Sequence, residues 1–135
     1  MDSPERLHES CDVQCPVRLT AEIIDQKWTT LIVRDLLSGK KRYFQLQKSL
    51  EGISAKILSE RLRYLERQGL ITRTEFPTNP PTTEYELTPK GGKLEVVIQA
   101  MRTFGLFLQE QVSRKNMSTD QTAEAQSRRV VEIVF

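Results

Sequence analysis

Along residues 16–112 the period of the apolar positions changes twice, from helical to alternating and back to helical. Pro16 suits a helix start, and Val17-Arg18-Leu19-Thr20-Ala21-Glu22-Ile23-Ile24 follows with helical spacing. Lys27 to Leu37 predicts a second helix, with Trp28, Leu31, Ile32 and Leu36 as its apolar stripe and Gly39 in the capping position. Residues 43–68 then read as two helices around a turn at Gly52, the second opened by a Ser54 cap and closed by Gly69. This second helix has two unlike faces. Leu58, Leu62 and Leu65 recur at i, i+4, i+7 and form a core side, whereas Lys56, Ser59, Arg63 and Arg67 fall opposite, with Glu60 among them. An apolar back behind a basic, hydrogen-bonding front is what a helix needs to lie in a DNA major groove.

After Gly69 the pattern alternates. Leu70 to Phe76 and Thr82 to Leu87 are rich in β-branched residues and predict two strands around the Pro77-Thr78-Asn79-Pro80-Pro81 tip, a β-hairpin. Thr88-Pro89 begins a further helix whose long apolar face runs through Leu94, Val97, Ile98, Met101, Phe104 and Leu108. Residues 113–127 are polar and read as a flexible extension; Val130 to Phe135 is apolar and β-prone, either a docking strand or an aggregation-prone end. The expected organisation is a polar, flexible segment 1–14, a folded domain 15–112 ending in a dimerisation helix, and an extension 113–135. Helix, helix, helix-turn-helix and hairpin, in that order, make a winged helix: mainly α with one small hairpin.

Composition sharpens this picture through the distribution of charge. The 135 residues suffice for one core and carry a formal net charge of only +2. Residues 34–73, however, hold ten Lys/Arg against four acids, a net +6, while residues 1–33 are at −3 and residues 74–135 at −1. A basic middle between acidic ends attracts polyanions through its local field. No apolar run approaches the roughly 20 residues of a membrane helix. Met1-Asp2-Ser3-Pro4-Glu5 is acidic and unlike a signal peptide, so the expected compartment is the cytoplasm, with Cys11 and Cys15 reduced.

Other chemistry is poorly supplied. His8, Cys11 and Cys15 are one ligand short of a structural zinc site, and no second Cys/His group exists. The single His, the missing Gly-rich phosphate loop and acids scattered among Lys/Arg argue against an enzyme, and nothing asks for a cofactor. Winged helices also serve as protein–protein modules. Such a module would present apolar or acidic residues on the helix front, and this one presents Lys56, Ser59, Arg63 and Arg67.

A family resemblance rests on Cys15-Pro16-Val17, Lys27-Trp28-Thr29, Lys41-Arg42-Tyr43, Gly52-Ile53-Ser54, Arg61-Leu62, Leu65-Glu66 and Gly69-Leu70-Ile71. It continues in order through Pro80-Pro81, Glu84-Tyr85-Glu86-Leu87-Thr88 and Gly91. Over about residues 15–108 the chain resembles the HxlR-type transcriptional regulators. The resemblance implies a cytoplasmic homodimer that binds double-stranded operator DNA as repressor or activator, with dimer contacts from the N-terminal segment and the long last helix. Lys56, Ser59 and Arg63 are the expected groove readers, beside the cap Ser54. Lys41, Arg42 and Arg67 are the expected phosphate contacts, and the wing residues Thr78 and Asn79, with Arg73 behind, are expected on backbone or minor groove. Phe44, where a small polar residue is more common, and Phe104-Gly105, where a Trp is common, depart from the family pattern. Cys15 matches a cysteine that some relatives use to sense oxidants or electrophiles, and a helix N-terminus favours the reactive thiolate. Cys11 is a candidate second thiol. The competing reading makes Cys15 a small core residue.

Overall fold

The structure, a computed structural model, describes residues 15–134, with side chains described for residues 15–119. The segment 1–14, with His8 and Cys11, lies outside the described residues. The chain divides into two compact units, one ending at Glu95 and one beginning at Val96.

The first unit contains α1 (Pro16–Ile24), α2 (Lys27–Leu37), β1 (Lys41–Arg42), α3 (Tyr43–Ser49), α4 (Ala55–Arg67), β2 (Ile71–Phe76), β3 (Thr82–Leu87) and α5 (Pro89–Gly92). Its core is aliphatic: Ile32, Val33 and Leu36 of α2, Leu46 and Leu50 at α3, Ile53 of the turn, Leu58, Leu62 and Leu65 of α4, then Leu70 and Ile71. The α2 stripe is rotated from its expected setting. Thr29 and Thr30 are buried while Trp28 stays half-exposed beneath the Lys27 ammonium, 4.5 Å from the ring centroid. Thr30 is tolerated there because its hydroxyl donates to the Lys27 carbonyl at 3.0 Å. Between α3 and α4, Gly52 takes φ +90°, a left-handed setting that L side chains rarely adopt, and turns the chain within a few residues.

The hairpin forms as expected, with Ile71 opposite Leu87 and Phe76 opposite Thr82. It is not alone. Lys41 and Arg42, which lie between the expected second and third helices, pair antiparallel with Tyr85 and Glu84, making a three-stranded sheet in the order β1-β3-β2. A strand of two residues is too short to carry a period, so alternation along the chain gives no sign of it.

Two further differences concern the last helix. The expected single helix from Pro89 is split: α5 ends at Gly92 and α6 (Glu95–Val134) begins after a turn at Lys93 and Leu94. Gly91 and Gly92 propagate a helix poorly, and Gly91 is buried so close to Leu70 that a Cβ there would collide with the Leu70 carbonyl. Conversely, α6 runs on to Val134, where a flexible extension and a β-prone end were expected. Low hydrophobicity was the wrong signal here. Residues 113–134 contain neither Gly nor Pro and many Ala, Gln, Glu, Lys and Arg, and a nucleated helix gains a hydrogen bond for each residue it adds.

In the sheet, Tyr85 of β3 is buried and stands opposite Arg73, its partner across the β2 register. Burial pushes the Tyr85 hydroxyl above its ordinary pKa, with Arg73 pulling the other way. A raised folded-state value means that the folded protein holds the phenolic proton where the unfolded chain has lost it. The associated stability is complete below about pH 10 and is lost as pH rises through the raised value. Urea unfolding on either side of about pH 10 should show this decline, and Tyr85→Phe should flatten it.

Candidate nucleic-acid interface

The helix α4 is placed by its capping as well as by its core. Ser54 Oγ accepts the Ile57 N–H at 3.2 Å, closing the first turn as the sequence pattern expects. With Leu58, Leu62 and Leu65 almost wholly buried, Lys56, Glu60, Arg63 and Arg67 are left exposed on the far side. Arg63 lies back along the helix, its Nε donating to the Ser59 carbonyl at 3.3 Å. Ser59 itself sits at the edge of that face, half-buried, with Oγ 3.2 Å from the Tyr43 hydroxyl. Of the expected groove readers, Lys56 and Arg63 are therefore exposed in the middle of the face, Arg63 with its Nε held by the Ser59 carbonyl. Ser54 and Ser59 have hydroxyls already engaged.

The expected phosphate contacts surround α4. Lys41 is half-exposed and Arg42 exposed, both on β1, and Arg42 is also the N-cap residue of α3. Its backbone N–H donates to Gln45 Oε1 at 2.8 Å, half of a capping box that fixes where α3 begins. Arg67 closes α4 on the same exposed side as Arg63. Phe44, one of the departures from the family pattern, is 58 % exposed on α3 and packs in no core.

The wing is more self-contained than expected. Arg73 Nη2 is 2.6 Å from Glu75 Oε1, and its guanidinium also serves Tyr85, so its charge is largely answered within the sheet. Thr78 Oγ1 donates to the Pro80 carbonyl at 2.8 Å and lies 3.2 Å from Thr82 Oγ1, holding the tip closed. Asn79 is exposed there. Lys40 Nζ lies 3.9 Å from Glu86, an exposed pair of small energetic weight. The residue missed by sequence reasoning is Tyr43. Its position beside Lys41 and Arg42 was visible, but its reach to Ser59, sixteen residues on, was not.

The HxlR-like helix-turn-helix family matches residues 23–113, two thirds of the chain. The chain belongs to that family. An HTH-type transcriptional regulator of Synechocystis sp., itself uncharacterised, is 40 % identical over 99 residues, 73 % of each chain. Among solved structures, a Porphyromonas gingivalis protein assigned to the MarR family of transcriptional regulators superposes with a TM-score of 0.70 at 38 % identity, covering 73 % of this chain and 96 % of its own. The redox regulator HypR in its oxidised form superposes at 0.63 with 33 % identity, covering 67 % and 94 %. The HxlR-like family and these neighbours are transcriptional regulators rather than enzymes, and the winged-helix architecture is theirs. This HxlR-like chain is accordingly a DNA-binding transcriptional regulator. Among its described residues no helix is long and apolar enough to cross a membrane.

Proposed function

We propose that this regulator binds a near-palindromic operator as a homodimer, each protomer placing α4 in a major groove. The observation that carries this reading is the division of α4 into a buried leucine side and an exposed side bearing Lys56, Arg63 and Arg67. Lys56, Ser59 and Arg63, near the start and middle of the helix, read base edges, with Ser54 holding the helix start. Lys41, Arg42 and Arg67 neutralise phosphate, and Thr78 and Asn79 at the wing tip, with Arg73 behind, lie against backbone or minor groove. Two such helices meet one face of the duplex when they are about 34–36 Å apart, one turn of DNA.

Support for the dimer comes from α6. Val96, Met101, Phe104, Leu106, Phe107, Leu108 and Val112 are all exposed, and the Phe104 and Phe107 rings lie 6.1 Å apart by centroid. So much exposed apolar surface on one helix is what a second copy covers. Support for redox control comes from Cys15, the N-cap residue of α1, half-exposed with its thiol making no cap hydrogen bond, and from the likeness to a redox regulator. An electrophile such as a quinone forms an S–C bond with the Cys15 thiolate. An oxidant takes two electrons as Cys15 and a second thiol, Cys11 being the nearest in sequence, lose their protons and join. Either change acts by shifting the dimer between a geometry that spans one DNA turn and one that does not.

Operator DNA selected from random duplexes provides the ligand for the main test. Arg63→Ala should cost roughly 1–3 kcal/mol and relax base preference, whereas Lys41→Ala, Arg42→Ala or Arg67→Ala should weaken all sequences alike and lower the salt slope by about one. Unchanged affinity and selectivity in Arg63→Ala would show that another face reads DNA. Light scattering should give the mass of two chains, and Phe104→Glu should shift it toward one; a concentration-independent monomer in the wild type ends the dimer reading. Operator affinity of the wild type should change on treatment with mild oxidant or a quinone, and that of Cys15→Ser should not. An equal response in both proteins removes Cys15 as the switch.

A further inference from the structure

The hydroxyls of Tyr43 and Ser59 meet at the edge of the exposed face of α4, and their protons can be assigned by counting. Tyr43 Oη donates to the Ala55 carbonyl at 3.2 Å and lies 3.2 Å from Ser59 Oγ. A phenol has one proton to give. By distance either hydroxyl could donate to the other, but only the arrangement in which Tyr43 donates to Ala55 and accepts from Ser59 makes both contacts hydrogen bonds.

The alternative outlet for the Ser59 proton is closed by the same contact. A Ser or Thr inside a helix commonly donates to the carbonyl four residues back, as Thr20, Thr103 and Thr119 do here at 2.9–3.1 Å. For Ser59 that carbonyl is Ala55, which already takes the Ser59 backbone N–H as part of the α4 ladder. Tyr43 occupies its second lone pair. The Ser59 proton is thus directed at Tyr43, and the hydroxyl presents only acceptor lone pairs to whatever approaches α4.

We infer that Tyr43 is a specificity-determining positioning residue, which holds Ser59 as a hydrogen-bond acceptor and so makes each half-site favour a base with an amino group at the position Ser59 meets. In the major groove adenine and cytosine offer such an amino group, whereas guanine and thymine offer only acceptors there, beside the thymine methyl. This inference rests on α4 as the groove helix and adds a rule for one base pair. A serine free to rotate donates or accepts and discriminates little. Here the aromatic hydroxyl of a neighbouring helix removes one of its two options.

The experiment is operator selection from random duplexes, followed by binding titrations, with wild type, Tyr43→Phe, Ser59→Ala and Arg63→Ala. In the wild type, one position per half-site should enrich adenine or cytosine, and exchanging it for an acceptor-only base should weaken binding roughly three- to tenfold, the scale of one hydrogen bond. Tyr43→Phe keeps the ring and removes one oxygen, so it should bind the preferred operator within about twofold of wild type while that base preference shrinks to about twofold, because the freed Ser59 proton can turn to the base. Ser59→Ala, which favours the helix, should lose the preference at the same position. If Tyr43→Phe retains the full preference that Ser59→Ala loses, or if Ser59→Ala alters no position, the inference is overturned; the second outcome decides even where Tyr43→Phe folds poorly. Arg63→Ala separates the two levels. A changed selectivity in Arg63→Ala alone leaves α4 as the groove helix and removes only the Tyr43 rule, whereas three unchanged variants remove both.

Discussion

Burial of Leu58, Leu62 and Leu65 sets the rotation of α4, and every other feature of the candidate DNA-facing surface depends on that rotation. Each residue along a helix turns it by about 100°, so slipping the buried set by one position would bring charged side chains toward the core. Full burial of each leucine is worth about 1.5–3 kcal/mol, and burying an unpaired charge costs more than that. The packing surface is supplied by α2, with Ile32, Val33 and Leu36 buried, and by β2, with Ile71 buried. The direction in which Lys56 and Arg63 point is therefore decided on the opposite side of the helix from the one proposed to read DNA.

The same economy runs through the sheet. Lys41 and Arg42 are strand residues as well as the approach to α3, so the backbone carrying two candidate phosphate contacts is pinned to β3. Within the sheet Arg73 is answered by Glu75, and Lys40 approaches Glu86. The positive field of the basic middle is thereby concentrated on α4 and its immediate approach, where Lys56, Arg63 and Arg67 have exposed side chains. Steering by such a local excess falls off over roughly 8–10 Å at physiological salt, so its placement matters more than the whole-chain charge of +2.

The unit from Val96 onward follows a different logic. Its described backbone belongs to α6, a helix of 40 residues that starts at Glu95 and is roughly 60 Å long at 1.5 Å per residue, whereas the family match ends at residue 113. Apolar side chains crowd its first half, with Phe104 61 % exposed. A helix in this condition gains its stability from a neighbour rather than from propensity alone, which is the physical basis for expecting a second copy along it.

Periodicity alone located α1, α2, α3, α4 and the two hairpin strands, because each is stated by neighbours within a few residues: the Leu58, Leu62 and Leu65 spacing, the Ser54 cap, the glycines after α2 and α4. The basic face of α4 was legible for the same reason, since a helix with a known core side has a known outer side. The long reach of α6 was also written locally, in the absence of Gly and Pro after Gly105, but polarity was read in place of helix propensity. Other features had no local statement at all. The pairing of Lys41 with Tyr85, the collision that keeps residue 91 a glycine against Leu70, the engagement of Arg73 by Tyr85 and the contact of Tyr43 with Ser59 each join residues from 12 to 44 positions apart. Sequence period records which side of an element is buried. Which hydroxyl, carbonyl or charge waits on the other side of that burial is decided only when the elements pack, because hydrogen bonds depend on distances of a few tenths of an ångström that no spacing along the chain encodes.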